Sequence, residues 1–171
     1  NCQQGLERVT LGNFLIKRVV FEIQEELPNI KNFGTLSPII GFRNWFSYLE
    51  DNKIKNIVGE KLAFLRSSDL RIGDKRILDN KDAIIKLVAH YLMNEKNKKN
   101  LPINDVCRFH LGNGAIIDDI VINANVSDVG FNRSVGVMVN YLYELKNIEK
   151  NHEDYINNKQ IIISDKLKKK L

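Results

Sequence analysis

The sequence predicts an α/β or α+β domain, with a mixed sheet flanked by helices, and three observations carry that expectation. Apolar residues recur at three- and four-residue intervals near Ile16–Leu27 and again near Ile84–Leu92, which is the periodicity of helices with one buried face. Two later runs, Ala115–Ile122 and Val135–Tyr143, have the composition and length of strands. Helix-like stretches then return between residues 146 and 171. Strands interleaved with helices over 171 residues fit one domain with a real core.

Taken in order, residues 5–12 read as a strand end and turn, and a helix opens at Asn13. Ile16, Val19, Val20, Phe21, Ile23 and Leu27 form its apolar side, and Pro28 closes it. Phe33–Ile40 is a short apolar run broken by Ser37-Pro38. A helix carrying Trp45, Phe46 and Leu49 starts at Gly41, and residues 51–80 read as short helices and loops. An amphipathic helix then presents Ile84, Leu87, Val88, Tyr91 and Leu92, followed by a polar loop, Asn94–Asn100. Pro102 is expected to start a short helix in which Ile103, Val106, Cys107 and His110 share a face, stopped by Gly112. Residues Asn123–Ser134 read as a loop between the two strands.

Composition excludes several classes. No apolar run approaches the roughly 20 residues that a membrane-spanning helix needs. Cys2 and Cys107 have neither a disulfide framework nor metal-ligand spacing, so reduced thiols in a cytosol-like compartment are expected. The net charge of +5 suits a small polyphosphate as well as nucleic acid, but basic stripes with stacking aromatics are not evident. Much of the excess is Lys166, Lys168, Lys169 and Lys170, read as a solvated last helix. The chain starts at Asn1 without a secretory leader and is expected to be a piece of a longer protein.

Four places have side chains suited to chemistry. The turn into the first helix, Val9 to Asn13, offers free backbone N–H groups at a helix start, where an anion is favoured. Gly12 would allow a phosphate close approach, while Arg8, Lys17 and Arg18 add charge; an ordinary glycine turn with solvated basic residues is the alternative. Ser37 precedes Pro38, which pushes it toward extended geometry and lets its hydroxyl project from a strand end. His110 lies on an apolar helix face beside a Gly-Asn-Gly turn, where it is either a hydrogen-bonded core residue or a reactive one. In the run Asn140–Tyr143 one tyrosine is expected to face the core while its neighbour does not, either as aromatic core or as a polar phenol at a cavity. His90 and His152 read as structural or exposed. No zinc pattern, phosphate-binding Walker loop, Ser-His-Asp signature or paired-carboxylate motif is present.

An ordered set of segments carries a resemblance. It comprises Gln4-Gly5-Leu6, Leu11–Val20, Leu27-Pro28-Asn29, Thr35–Ile39 before Gly41-Phe42, Arg108–Ala115, Ser134–Tyr143, and Ile148-Glu149 with Asn151-His152-Glu153. Together these resemble the C-terminal part of the malonyl-CoA decarboxylase family, in family order across almost the whole chain. The resemblance implies an acyl-CoA N-acyltransferase-like fold used to release carbon dioxide from malonyl-CoA, leaving acetyl-CoA. It implies coenzyme A pyrophosphate at the strand-to-helix turn (Arg8, Val9, Leu11, Gly12, Asn13 and Lys17), a catalytic serine at Ser37, a catalytic histidine at His110 and a site tyrosine at Tyr143. A family glutamate falls on Thr10, and Ile40 replaces a usual proline, which should loosen the loop after Ser37. No metal or cofactor is implied, because the coenzyme A thioester is itself the substrate.

The resemblance also implies that residues 1–171 are a partial catalytic domain. Family members carry a helical oligomerisation domain and the first strands of the sheet before the point matching Asn1, and assemble as homo-oligomers. A sheet without its first strands would leave an open edge. An acyl-CoA N-acyltransferase, which would not need both Ser37 and His110, is the alternative enzyme; a non-catalytic fragment that binds coenzyme A weakly is the alternative outside enzymes. Lys169-Lys170-Leu171 resembles a peroxisomal Ser-Lys-Leu ending only loosely. The Asn-, Lys- and Ile-rich wording suits a bacterial cytoplasm, with mitochondria or peroxisomes expected for a eukaryotic source.

Overall fold

The fold is described from a computed structural model covering residues 11–59 and 62–171. A three-stranded antiparallel sheet, in the order β1-β3-β2, lies among helices. The strands are β1 (Phe33–Pro38), β2 (Ile116–Val121) and β3 (Met138–Tyr143). The α-helices are α1 (Leu11–Glu26), α2 (Phe42–Ser47), α3 (Asp51–Val58), α4 (Lys75–Asp79), α5 (Lys81–Met93), α6 (Asp105–Gly112), α7 (Asp128–Ser134), α8 (Ile148–Asn158) and α9 (Asp165–Lys168).

Alternation sorts the strand residues. Phe33, Thr35 and Ser37 lie opposite Tyr143, Tyr141 and Val139, so all six side chains share one face. Both tyrosines of the Asn140–Tyr143 run are therefore on that face and buried, contrary to the expectation that only one would be; residues two apart on a strand point the same way. Against this face packs α5, whose Ile84, Leu87, Val88, Tyr91 and Leu92 are buried as its periodicity predicts.

The sheet's two edges differ. Beyond β2 the chain returns: Ile117 N–H donates to the Ile162 carbonyl at 3.0 Å and Ser164 N–H to the Ile117 carbonyl at 3.0 Å, a short parallel pairing. No strand among the described residues pairs with the other side of β1, and Gly34 and Leu36 are exposed on the face opposite Thr35 and Ser37.

Several expected boundaries move. The first helix begins at Leu11 rather than Asn13, and residues 5–10 lie outside the described residues. The helix carrying His110 begins after Asn104, not at Pro102: the Asn104 side chain accepts a hydrogen bond from Cys107 N–H at 2.8 Å, an N-cap that a proline cannot form. Pro102 instead pairs with Lys96 in an isolated bridge, so Ile103 is no part of a helical face. The presumed loop 123–134 contains α7, capped by the Ser127 hydroxyl on Gly130 N–H at 3.1 Å. The last strand starts at Met138 rather than Val135, because Val135 and Gly136 both take left-handed conformations (φ 49° and 79°).

The basic tail is not simply solvated. Asp119 is buried, and Lys166 and Lys170 reach its two carboxylate oxygens at 2.7 and 2.5 Å. Desolvation pushes the Asp119 carboxyl up, but hydrogen bonds from the two ammonium groups outweigh it and hold the group below its ordinary value. Leu167, between the two lysines, is fully buried, so α9 is docked on the sheet by an apolar plug and an ionic clamp.

Candidate active site

Local sequence places each polar group of the site. Ser37 is the last inward-facing residue of β1, opposite Val139, and the strand closes one residue later at Pro38, which has no N–H with which to continue a ladder. His110 lies in the last turn of α6, a helix started by the Asn104 cap and ended at Asn113, whose backbone N–H donates to the Phe109 and His110 carbonyls. Gly114 then turns the chain at φ 81°. A side chain there would drive its Cβ to 2.2 Å from the Ile148 carbonyl oxygen, so the turn that follows His110 requires glycine.

These segments bring Ser37, His110 and Tyr143 into one buried row. Ser37 Oγ lies 3.0 Å from His110 Nε2, and the Tyr143 hydroxyl lies 2.7 Å from His110 Nδ1. At the other end Ser37 Oγ donates to Thr35 Oγ1 at 3.2 Å. Hydroxyls thus meet both ring nitrogens, and the directions go together: with Nε2–H donating to Ser37 the Tyr143 hydroxyl donates to Nδ1, and in the other tautomer both directions reverse. The imidazole stacks on the Tyr141 ring at 4.3 Å with 18° between planes, and the Phe109 ring meets it edge-on at 5.2 Å.

Burial sets the charge state. Desolvation lowers the His110 pKa from 6.5 to about 4, so the ring is neutral at pH 7. The same cause raises the Tyr143 and Tyr141 hydroxyls above their ordinary value, keeping both protonated. The row is thus uncharged, and the neutral imidazole carries one proton that its two hydroxyl partners accommodate on either ring nitrogen. Cys107, also buried, is pushed up to about 12 by desolvation and is an inert thiol.

The segment after Ser37 is held firmly. Ile39 is buried in the core, and the Ile40 carbonyl accepts hydrogen bonds from Asn104 Nδ2 at 2.8 Å and from the Tyr91 hydroxyl at 3.1 Å. Side chains from α5 and the α6 cap thus hold the backbone at the position where isoleucine stands in place of the family's proline. Thr35 and Asn104 escaped the sequence reading as site residues, and Tyr91 was legible only as part of its helix's apolar face. For Thr35 the signal was there, since a residue two before Ser37 in a strand must share its face.

Of the other predicted residues, Leu11, Gly12 and Asn13 form the first turn of α1, and Lys17 lies further along it. Arg8, Val9 and Thr10 lie outside the described residues. His90 is partly buried, stacked on Trp45 and 3.5 Å from Glu95; His152 Nδ1 makes a 2.7 Å hydrogen bond with the Gly112 carbonyl. Both are structural. Among the described residues no group of three or more His, Cys, Asp or Glu gathers to hold a metal ion.

The family model for the malonyl-CoA decarboxylase C-terminal domain matches residues 1–171. The chain belongs to the malonyl-CoA decarboxylase family. It is 35% identical over 189 aligned positions to the mitochondrial malonyl-CoA decarboxylase of the goose Anser anser anser, covering 97% of this chain and 37% of the relative. The crystal structure of malonyl-CoA decarboxylase from Rhodopseudomonas palustris superposes with a TM-score of 0.85 at 37% identity, over 99% of this chain and 40% of that one. The enzyme from Cupriavidus metallidurans gives a TM-score of 0.84 at 35% identity, over 100% of this chain and 46% of that one. The chain thus spans about two-fifths of the length of the relatives that it matches.

Proposed function

We propose that this chain provides the catalytic portion of a malonyl-CoA decarboxylase, with Ser37 orienting the malonyl group and His110 delivering the proton that completes the reaction. The observation that carries this reading is the buried, uncharged Ser37–His110–Tyr143 row in a chain of this family. In a malonyl thioester the bond from the central carbon to the carboxylate breaks, carbon dioxide leaves, and the electron pair enters the thioester carbonyl as an enolate. The thioester is its own electron sink, so the reaction asks of the protein only orientation, stabilisation of the enolate oxygen and one proton to carbon.

A neutral imidazole is a poor acid by itself. An arriving malonyl carboxylate would change this, because an opposite charge within a few ångströms favours the imidazolium. The ring takes its second proton from solvent, the Nε2 proton passes to carbon, and the ring is left neutral with its proton on Nδ1, donated to the Tyr143 hydroxyl, which holds the ring in the orientation that makes the transfer possible. The first turn of α1, with Gly12, would receive the coenzyme A pyrophosphate at backbone N–H groups.

The goose relative is a mitochondrial enzyme by name and the structural relatives are bacterial; no helix among the described residues is long and apolar enough to cross a membrane. A cytoplasmic enzyme in a bacterium, or a mitochondrial or peroxisomal one in a eukaryote, fits this reading.

The test is carbon dioxide release from malonyl-CoA by the protein at its natural length. Replacing His110→Gln should lower turnover about 100-fold or more while coenzyme A still binds. Undiminished turnover would remove His110 from the mechanism.

A further inference from the structure

Position 37 needs more than its strand to hold it. Among the described residues β1 is paired on one side only, and its ladder stops at Pro38, so a serine at the last inward-facing position would be free to fray. Three residues on, the backbone is gripped. The Ile40 carbonyl takes hydrogen bonds from Asn104 and Tyr91, although Ile40 itself lies at the surface. Asn104 is almost wholly buried, and both ends of its amide are used. Its oxygen caps α6 through Cys107 N–H at 2.8 Å, and its nitrogen holds Ile40 at 2.8 Å.

We infer that Asn104 is a positioning residue that sets the Ser37–His110 distance by clamping the segment after Ser37 to the start of the helix that bears His110. One planar amide joins the two segments whose side chains must meet, 73 residues apart in sequence. Its oxygen and nitrogen lie in fixed relation, so the start of α6 and the Ile40 backbone cannot separate without breaking a buried hydrogen bond. Tyr91 doubles the hold from α5. Its hydroxyl also lies 3.0 Å from where a Cβ on Gly41 would stand, so the turn at φ 85° fits closely beneath it.

This inference rests on the proposed roles of Ser37 and His110, and the test separates the two. Serine is a good N-cap, so Asn104→Ser keeps the start of α6 but is too short to hold Ile40. The measurement is kcat and KM for malonyl-CoA, made with the protein at its natural length, in the wild-type and in the Ser37→Ala backgrounds. Asn104→Ser should lower kcat about 10-fold or more with KM changed far less, since misplacement of a reacting group is felt mainly in turnover. In the Ser37→Ala background the same substitution should lower kcat less than about 2-fold, because the clamp acts through the serine already removed. Equal losses in both backgrounds would make Asn104 a structural residue only, and no loss in either would overturn the clamp outright. Should Asn104→Ser fail to fold, Tyr91→Phe, which removes one hydroxyl, carries the same two-background comparison, with the same expected and overturning results. If Ser37→Ala alone leaves kcat unchanged, the functional reading falls and the clamp falls with it; if Ser37→Ala is impaired while the clamp variants are not, the clamp alone fails.

Discussion

The sheet carries two buried polar clusters that solve the problem of burial in opposite ways. Around Asp119 the solution is ionic: a carboxylate sheltered at a bulge in β2 is met by Lys166 and Lys170. Around His110 no formal charge is present at neutral pH. Hydroxyls satisfy both ring nitrogens, two aromatic rings flank the imidazole, and the base is driven to its uncharged form. A carboxylate already locked in ion pairs has little reason to take up a proton. A neutral imidazole among hydroxyls changes state as soon as an anion arrives, and in the proposed function that anion is the substrate carboxylate.

Acid should separate the two clusters most clearly. His110 takes up its proton near pH 4 when folded and near 6.5 when unfolded, so between these values the unfolded chain binds more protons. Its contribution is therefore whole above about pH 6.5 and shrinks as pH falls toward 4, by about 3 kcal/mol at one pKa unit per roughly 1.4 kcal/mol. Asp119 behaves in a lower window. With its folded pKa depressed, its contribution is kept above the ordinary value of 3.8 and lost only as pH falls below it. Urea unfolding followed through Trp45, the single tryptophan, should show the first decline between pH 6.5 and 4, and His110→Gln should flatten it. A variant with an undiminished decline would show that His110 is not its source.

A smaller effect is expected at the far end of the neutral row. Tyr143→Phe keeps the ring in place but leaves Nδ1 without its hydroxyl partner, so the imidazole is no longer held in one orientation; turnover should fall about 10- to 100-fold. Carbon dioxide release with the melting temperature measured alongside checks this, and an unaffected rate would confine Tyr143 to packing. Smallest is the ionic cluster. Asp119→Asn should destabilise the fold by about 1–2 kcal/mol, because two ammonium groups lose their counter-charge, while turnover stays within about twofold. A large loss of turnover in Asp119→Asn, with stability intact, would erase the distinction between the clusters.

Much of this arrangement is visible in the sequence, and the remainder has definite physical reasons for being hidden. Helix α5 is legible because it buries one continuous stripe, and Ser37 is legible as a strand end because the following proline cannot extend a ladder. The start of α6 misleads because Pro102 imitates a first helical residue, whereas the cap is Asn104 two positions on. Helix α7 hides behind Ser127-Asp128 and Gly130, residues that also suit a loop. The tail reads as solvated because its buried carboxylate partner lies 47 and 51 residues earlier in sequence. His110 could be singled out as an apolar-face histidine. Its meeting with Ser37 depends on a helix and a strand end being tied through the Ile40 carbonyl, and local pattern does not encode a bond of that kind.

The lopsided sheet has an architectural consequence. Its β2 flank is sealed by the returning backbone at Ile162–Ser164, whereas the outer amides and carbonyls of β1 face no strand among the described residues. Among the described residues only the β1 flank is open to a further strand, which would lie alongside Thr35 and Ser37. Whatever polypeptide completes that margin becomes a neighbour of the strand that bears Ser37, so assembling the sheet and bracing the serine's strand are one event.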